Sequence, residues 1–366
     1  MNDLKIGVLL AGLSLLACSA RYEVGGLEEE ALGSSGSGGS GGSSSARGGQ
    51  SSGGSGPTTA GPGAQSCAPP GGMPPTLSGD FVAPQAVWAR LAPFIWGEEP
   101  AAPPSELPAT TTYAWAGEVV DEAFAQQEDD GVTPGGGWFV RRWLGLAQGT
   151  PLEGDYEQSL LREDLNALEA LLLSTWAPGH SGVFSEKPWL ATHQSIPRRG
   201  TSIARLLFGM PIPAPPAGVS QELDSTLPDR EAIEGATLIT PSCGSCHVVI
   251  NGLGYALGNF DAFGDYRTLD HGLPIDTSGR FMTATRTFEY DGIVDLGTQA
   301  ADSCEGARGL VRSFLIVALR EQGYDEEHLY ENVDAHTERV TQAFFAGGRS
   351  YRALLRAYAQ SGLVLY

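Results

Sequence analysis

Over most of this chain the apolar positions recur at helical rather than strand spacing. In 81–96, Val87, Leu91 and Ile95 fall on one stripe with Trp88 beside them, which predicts a helix. Segments 117–127 and 138–147 predict two more. The strongest signal is 155–175, where Leu161, Leu165, Leu168 and Leu172 form a stripe and Asp155 stands as a cap ahead of Glu157 and Gln158. One continuous helix is expected there. Trp115, Trp138, Trp143 and Trp176 cluster in the same region and read as core aromatics facing other helices, not as a cofactor box. A helix over 201–208 runs into Pro211, Pro213, Pro215 and Pro216, which stop it and impose an extended connector. A short helix over 228–237 follows. Beyond 250, Gly252, Gly254, Gly258, Gly264 and Gly272 break the chain into turns. Helices near 304–321, 329–345 and 350–360 complete the pattern. Alternating strand patterns are scarce, so the fold class is mainly α.

Two stretches at the start depart from this pattern. Ile6 to Ala17, IGVLLAGLSLLA, is an apolar run of export-signal length, too short to span a bilayer. It ends in Leu15-Leu16-Ala17-Cys18, which resembles a bacterial lipoprotein box in which Cys18 becomes the lipidated first residue. An ordinary signal peptide with a chance cysteine is the alternative. Two or more acyl chains give a stable anchor where one would not. Ser19 in place of Asp points, by resemblance to the lipoprotein sorting rule, to the outer membrane. Residues 33–66 are almost wholly Gly, Ser and small polar residues, which cannot bury a core. The expected organisation is a lipoprotein signal peptide over 1–18, a disordered tether over 19–66 and a helical region over 67–180. A cysteine-motif module over 181–290 and a helical module over 291–366 follow.

Composition narrows the partners. The chain has 366 residues and a formal charge of −21. No basic stripe for phosphate binding is visible, so nucleic acid is excluded as a partner, while an acidic surface suits a basic redox partner. Export places the four cysteines besides Cys18 where disulfides persist.

The candidate chemistry lies in Pro241-Ser-Cys243-Gly-Ser-Cys246-His247. C-x-x-C-H is the attachment pattern of c-type haem. Two thiols on one turn reach the two vinyl groups as thioethers, and the adjacent imidazole of His247 then lies under the iron. Val248, Val249, Ile250, Leu253, Tyr255, Leu257, Phe260 and Phe263 could wall the macrocycle or form an ordinary core. Two other readings stay open. Zinc needs four ligands, and only the isolated His271 and Cys304 are at hand. A disulfide across so short a span is strained, and thioredoxin-like chemistry needs a βαβ context that is missing. Met282 is the expected trans ligand of the iron, with Met210 and His271 in reserve. An open position would instead admit small molecules. Cys67 and Cys304 remain, as free thiols or as a disulfide joining the start of the folded region to the tail.

From Arg198 to Gly279 the chain resembles an uncharacterised bacterial family, domain of unknown function fifteen-eighty-eight. The resemblance rests on RRGTSIARLLFG, the connector MPIPAPPAGV, CGSCH, INGLGYALGNFDAFGDYR and PIDTSG. In the tail, ADSCEGARGLVRSFLIVAL and RSYRALLRAYAQSGLVLY resemble a companion family, fifteen-eighty-five. Such modules occur in exported proteins that often carry cytochrome c-like domains, so the resemblance implies a haem-linked role without naming a reaction. It also implies a cytochrome c-like helical module with long irregular loops. Three positions depart from the family pattern: Asn251-Gly252 replaces its Asp-Pro, and Thr237 stands where it has a histidine. Asp261 and Arg267 keep the pattern. They are expected either to pair with each other or, for Arg267, to meet a haem propionate.

The expected function is that of a lipid-anchored envelope protein with haem c that transfers electrons. A surface binding or scaffold lipoprotein with a structural cysteine motif is the alternative, and an oxidative enzyme is a third. No Ser/His/Asp triad, phosphate loop or paired-carboxylate constellation is visible.

Overall fold

The helical periodicity is realised as a stack of amphipathic helices around one apolar interior. A computed structural model describes residues 76–97, 107–214, 222–239 and 241–366. The expected signal peptide, lipidated Cys18, tether, Cys67 and Pro215 and Pro216 of the connector lie outside the described residues.

The first helices are α1 (Pro84–Trp96), α2 (Tyr113–Asp130) and α3 (Pro134–Leu144). Proline opens α1 and α3, where its missing N–H costs nothing. Thr112 caps α2 by accepting the Trp115 N–H. Trp138 and Trp143 are buried among Phe94, Phe139 and Phe184, so these tryptophans are core aromatics.

The expected single helix over 155–175 is two short ones, α4 (Tyr156–Ser159) and α5 (Ala167–Leu172). The break has a local cause. Asn166 accepts the Glu169 N–H at 2.9 Å, and the Glu169 carboxylate accepts the Asn166 N–H at 2.9 Å. This capping box starts a new helix where the leucine stripe alone would continue the old one.

Two short strands, β1 (Thr175–Ala177) and β2 (His180–Ser181), pair antiparallel and lead through a tight turn to α6 (Lys187–Thr192). In that turn the wholly buried Glu186 accepts hydrogen bonds from the Glu153 and Gly154 N–H groups and the Tyr156 hydroxyl, each at 2.9 Å. Burial pushes its carboxyl above the usual range, against the pull of those three donors.

Next come α7 (Ile196–Phe208), α8 (Asp229–Thr237) and α9 (Pro241–Tyr255), followed by a minimal hairpin of β3 (Leu269–Asp270) and β4 (Leu273–Pro274). A longer hairpin, β5 (Ser278–Met282) with β6 (Thr287–Asp291), pairs Phe281 with Phe288 and Gly279 with Tyr290. This hairpin and the next helix, α10 (Gly292–Ala301), are absent from the sequence expectations. The tail forms α11 (Cys304–Glu321), α12 (Glu326–Ala346), α13 (Tyr351–Ala359) and α14 (Gly362–Leu365), close to the helices expected there. The chain is mainly α, as expected. Among the described residues no helix is long and apolar enough to cross a membrane.

Apart from residues 283–286, the described residues belong to one compact unit. Its core runs from Val87 in α1 to Leu365 in α14, so the segments 67–180, 181–290 and 291–366 share a single interior. The helix α11 packs against α3, α7 and α12, and α7 in turn packs against α9.

The contact of α7 with α9 is made by backbone. A Cβ on Gly200 would run into the Ile250 carbonyl oxygen, and a Cβ on Gly254 into the Ile196 carbonyl oxygen. Those two contacts also fix the helices as antiparallel. Arg199, 1 % exposed, completes the joint. It donates to the carbonyl of His193, before α7, and to those of Leu257, Phe260 and Asp261, beyond the C-terminal end of α9. Burial lowers its pKa to about 10, so it stays charged at neutral pH.

Gly200→Ala should therefore lower the unfolding free energy by at least about 3 kcal/mol in urea titration, because backbone on both sides cannot yield. Gly235→Ala, on the exposed face of α8 with nothing within 4 Å, should be neutral or stabilising by up to about 1 kcal/mol. Equal effects of the two substitutions would refute the backbone-contact account.

Candidate functional site

The cysteine motif occupies the start of α9, itself a helix that sequence periodicity does not mark. Proline is its first residue. On a helix, Cys243, Cys246 and His247 lie at i, i+3 and i+4 and share one face. Ile250 and Gly254 continue that stripe, and α7 covers it there. The motif thus forms the open end of a stripe whose other end is locked against α7.

Cys243 and Cys246 are free and half-buried. His247 is also half-buried. Its Nδ1 lies 3.0 Å from Asn251 Oδ1, one turn along the same helix. Asn251, 1 % exposed, donates from Nδ2 to Thr237 Oγ1 at 2.8 Å. Thr237, at the end of α8, donates to the Ile233 carbonyl at 2.7 Å. Nε2 of His247 makes no hydrogen bond among the described residues. Positions 237 and 251 are therefore in direct contact. Asn251 is within reach of sequence reasoning, because i+4 from a histidine on a helix is a neighbour. Thr237 is not, because its contact crosses from one helix to the next.

The walls differ from expectation. Ile250, Leu253, Tyr255, Leu257 and Phe260 are buried in the protein's own interior, and Phe263 is exposed. The apolar surface beside the motif comes instead from Val248, 58 % exposed, and from Leu238 and Ile239, the latter 79 % exposed. The Leu238 carbonyl lies 3.2 Å from where a Cβ of Gly244 would stand, so this segment sits against the motif's turn.

The other candidates are dispersed. Met282 ends β5 instead of lying in a loop. The Gly279 side of the hairpin faces the Gly252 carbonyl of α9. Met282 has the opposite strand parity and is 51 % exposed, so it points away from α9. Met210 follows the C-terminal end of α7, which the antiparallel arrangement carries toward the motif end of α9. His271 is engaged by Asp270 and by the Ser225 carbonyl, each at 3.1 Å. Arg267 does not pair with Asp261. Its two terminal nitrogens meet Asp229 at 2.5 Å and Asp270 at 3.0 Å. Asp261 instead accepts the N–H groups of Phe263 and Asp265 and shapes the turn. Cys304 is disulfide-bonded; Cys67, the other half-cystine expected from the sequence, lies outside the described residues.

The donor set fits a covalently attached haem. Thioethers need two separate sulfurs on one face and an imidazole with a free ring nitrogen, and all three are present. A disulfide between Cys243 and Cys246 is not formed. Among the described residues no group of three or more His, Cys, Asp or Glu is placed to hold a metal ion, so the zinc corner lacks its further ligands.

Residues 181–270 match the family model PSCyt3, described as a protein of unknown function (DUF1588). The match supports the resemblance drawn from the motifs and stops short of the tail, whose resemblance to the companion family lies outside it. No match to a curated protein or to a solved structure was found.

In the full chain prepared without cofactor or reductant, alkylation should label Cys243 and Cys246, identified by peptide mass. Cys304 should be labelled only after reduction. Label on Cys304 in the native state, or none on the motif, would contradict the arrangement.

Proposed function

We propose that this protein is a lipid-anchored carrier of covalently bound haem c that transfers electrons in the bacterial cell envelope. The observation that carries the proposal is the single face of α9 presenting two free thiols and an imidazole with an unengaged Nε2. Cys243 and Cys246 would form the thioether bonds, and His247 would bind iron through Nε2. When bound, the haem supplies a one-electron couple. The chain contributes a rigid α9, fixed by α7 and Arg199, so that ligand and thioethers keep their spacing in both oxidation states. Val248, Leu238 and Ile239 offer apolar contact to the macrocycle edge.

Several further features support the reading. The matched family carries a cytochrome label in its short name. The apolar run before Cys18 supports export and lipidation, and the Gly/Ser segment supports a domain standing off an outer membrane. The charge of −21 favours a basic redox partner. In this reading Met282 is not an iron ligand, because it projects from the far side of the β5–β6 hairpin.

Expression in a host with cytochrome c maturation should give protein whose intact mass includes one haem that survives denaturation, with the absorption bands of a reduced c-type haem. Replacing both thiols by serine should abolish the covalent mass. Colourless protein from a competent host would end the proposal. Met282→Ala should leave the reduced spectrum unchanged, whereas a loss of low-spin bands in that variant would restore Met282 as the trans ligand.

A further inference from the structure

We propose that Asn251, anchored by Thr237, is the positioning residue of His247: it fixes the proton on Nδ1, turns the Nε2 lone pair outward, and by being neutral sets a higher reduction potential than a carboxylate would. The potential part rests on the haem reading, whereas the proton part stands on hydrogen-bond geometry alone.

The proton's place follows from the direction of the chain of bonds. A backbone carbonyl can only accept, so Thr237 must donate its single hydroxyl proton to Ile233. The Thr237 oxygen then has only lone pairs to offer, and the group 2.8 Å away must be the amide nitrogen of Asn251. That orientation leaves Asn251 Oδ1 facing His247 Nδ1 at 3.0 Å, and an amide oxygen can only accept. Nδ1 therefore carries the hydrogen and Nε2 the lone pair. An unrestrained neutral imidazole would populate both tautomers. Asn251 and Thr237 are 1 % and 6 % exposed, so water does not compete for these bonds.

The electronic consequence follows from the partner's charge. A carboxylate accepting the Nδ1–H pulls the proton toward itself and makes the imidazole a stronger donor to a metal. Stronger donation favours the oxidised ion and lowers the potential. A neutral amide accepts the same hydrogen bond with less pull. Holding the ring and tuning the metal are thus separable: an aspartate at 251 would keep the first and change the second. It could not donate to Thr237, but it would still accept from Nδ1.

Nitrogen-15 spectra of the full chain labelled at histidine and prepared without cofactor, at a pH where imidazole is neutral, should show His247 protonated at Nδ1. Asn251→Leu should lose that preference. Thr237→Val should weaken it by freeing the amide to rotate, and Thr237→Ser should restore it. A wild-type His247 protonated at Nε2 overturns the positioning role. In haem-loaded protein, Asn251→Asp should shift the midpoint potential negative of wild type, and an unchanged potential overturns the tuning. If no haem is acquired but the tautomer behaves as stated, the relay stands and the haem proposal alone fails.

Discussion

The backbone contact between α7 and α9 is the constraint on which the rest of the molecule depends. Helices normally meet through side chains at 8–10 Å between axes. Here Gly200 and Gly254 remove the side chains where the helices touch, and carbonyl oxygens occupy the space a Cβ would need. Close approach leaves little freedom to slide, because backbone cannot change rotamer. Arg199, next to Gly200 in sequence, closes the joint by collecting four carbonyls from the loop before α7 and the end of α9. The energetic balance favours a charge there because one guanidinium serves four carbonyls at once, and charge-assisted bonds are the strong ones. A lysine, with one nitrogen, could not reach four oxygens arranged this way.

From that joint the geometry of the site follows. The side of α9 that faces α7 is the side bearing Cys243, Cys246 and His247 one to two turns earlier. Locking one end of the stripe fixes the azimuth of the other. The hairpin β5–β6 braces α9 at Gly252 from a different side, with Phe281 and Phe288 stacked on each other and edge-on to Phe208 of α7. The polar chain from His247 to Ile233 ties α9 back to α8. Three independent supports therefore meet on one helix. Such redundancy holds the motif face of α9 in one orientation.

The legible and illegible parts of this sequence divide along physical lines. Helices with a continuous apolar stripe and polar ends, such as α1 and α11, are readable because local pattern and tertiary burial agree. The break between α4 and α5 was hidden by the leucines around it, although Asn166 and Glu169 spell a capping box that pattern counting passes over. The β5–β6 hairpin was hidden because its strands are five residues each, and only Phe281, Phe288 and Tyr290 mark the buried face. The motif at Cys243 was legible as chemistry and not as structure: glycine and serine between its cysteines lower helix propensity, and packing on α7 supplies what propensity does not. The surroundings of Met282 and Arg267 were illegible for a common reason. Residue type and sequence distance carry no information about strand parity or about which carboxylates wait nearby.

Thr237 and Asn251 act as one unit behind His247. Their contact at 2.8 Å makes them a neutral donor–acceptor pair. Changing either alone would leave a buried amide or hydroxyl facing the wrong partner, at a cost of about 1–3 kcal/mol. With both present each hydrogen bond of the relay has its donor and its acceptor, and an acceptor faces His247. The support behind the imidazole is thereby neutral, and a side chain at 251 of different charge would retune a bound group without rebuilding the helix that carries it.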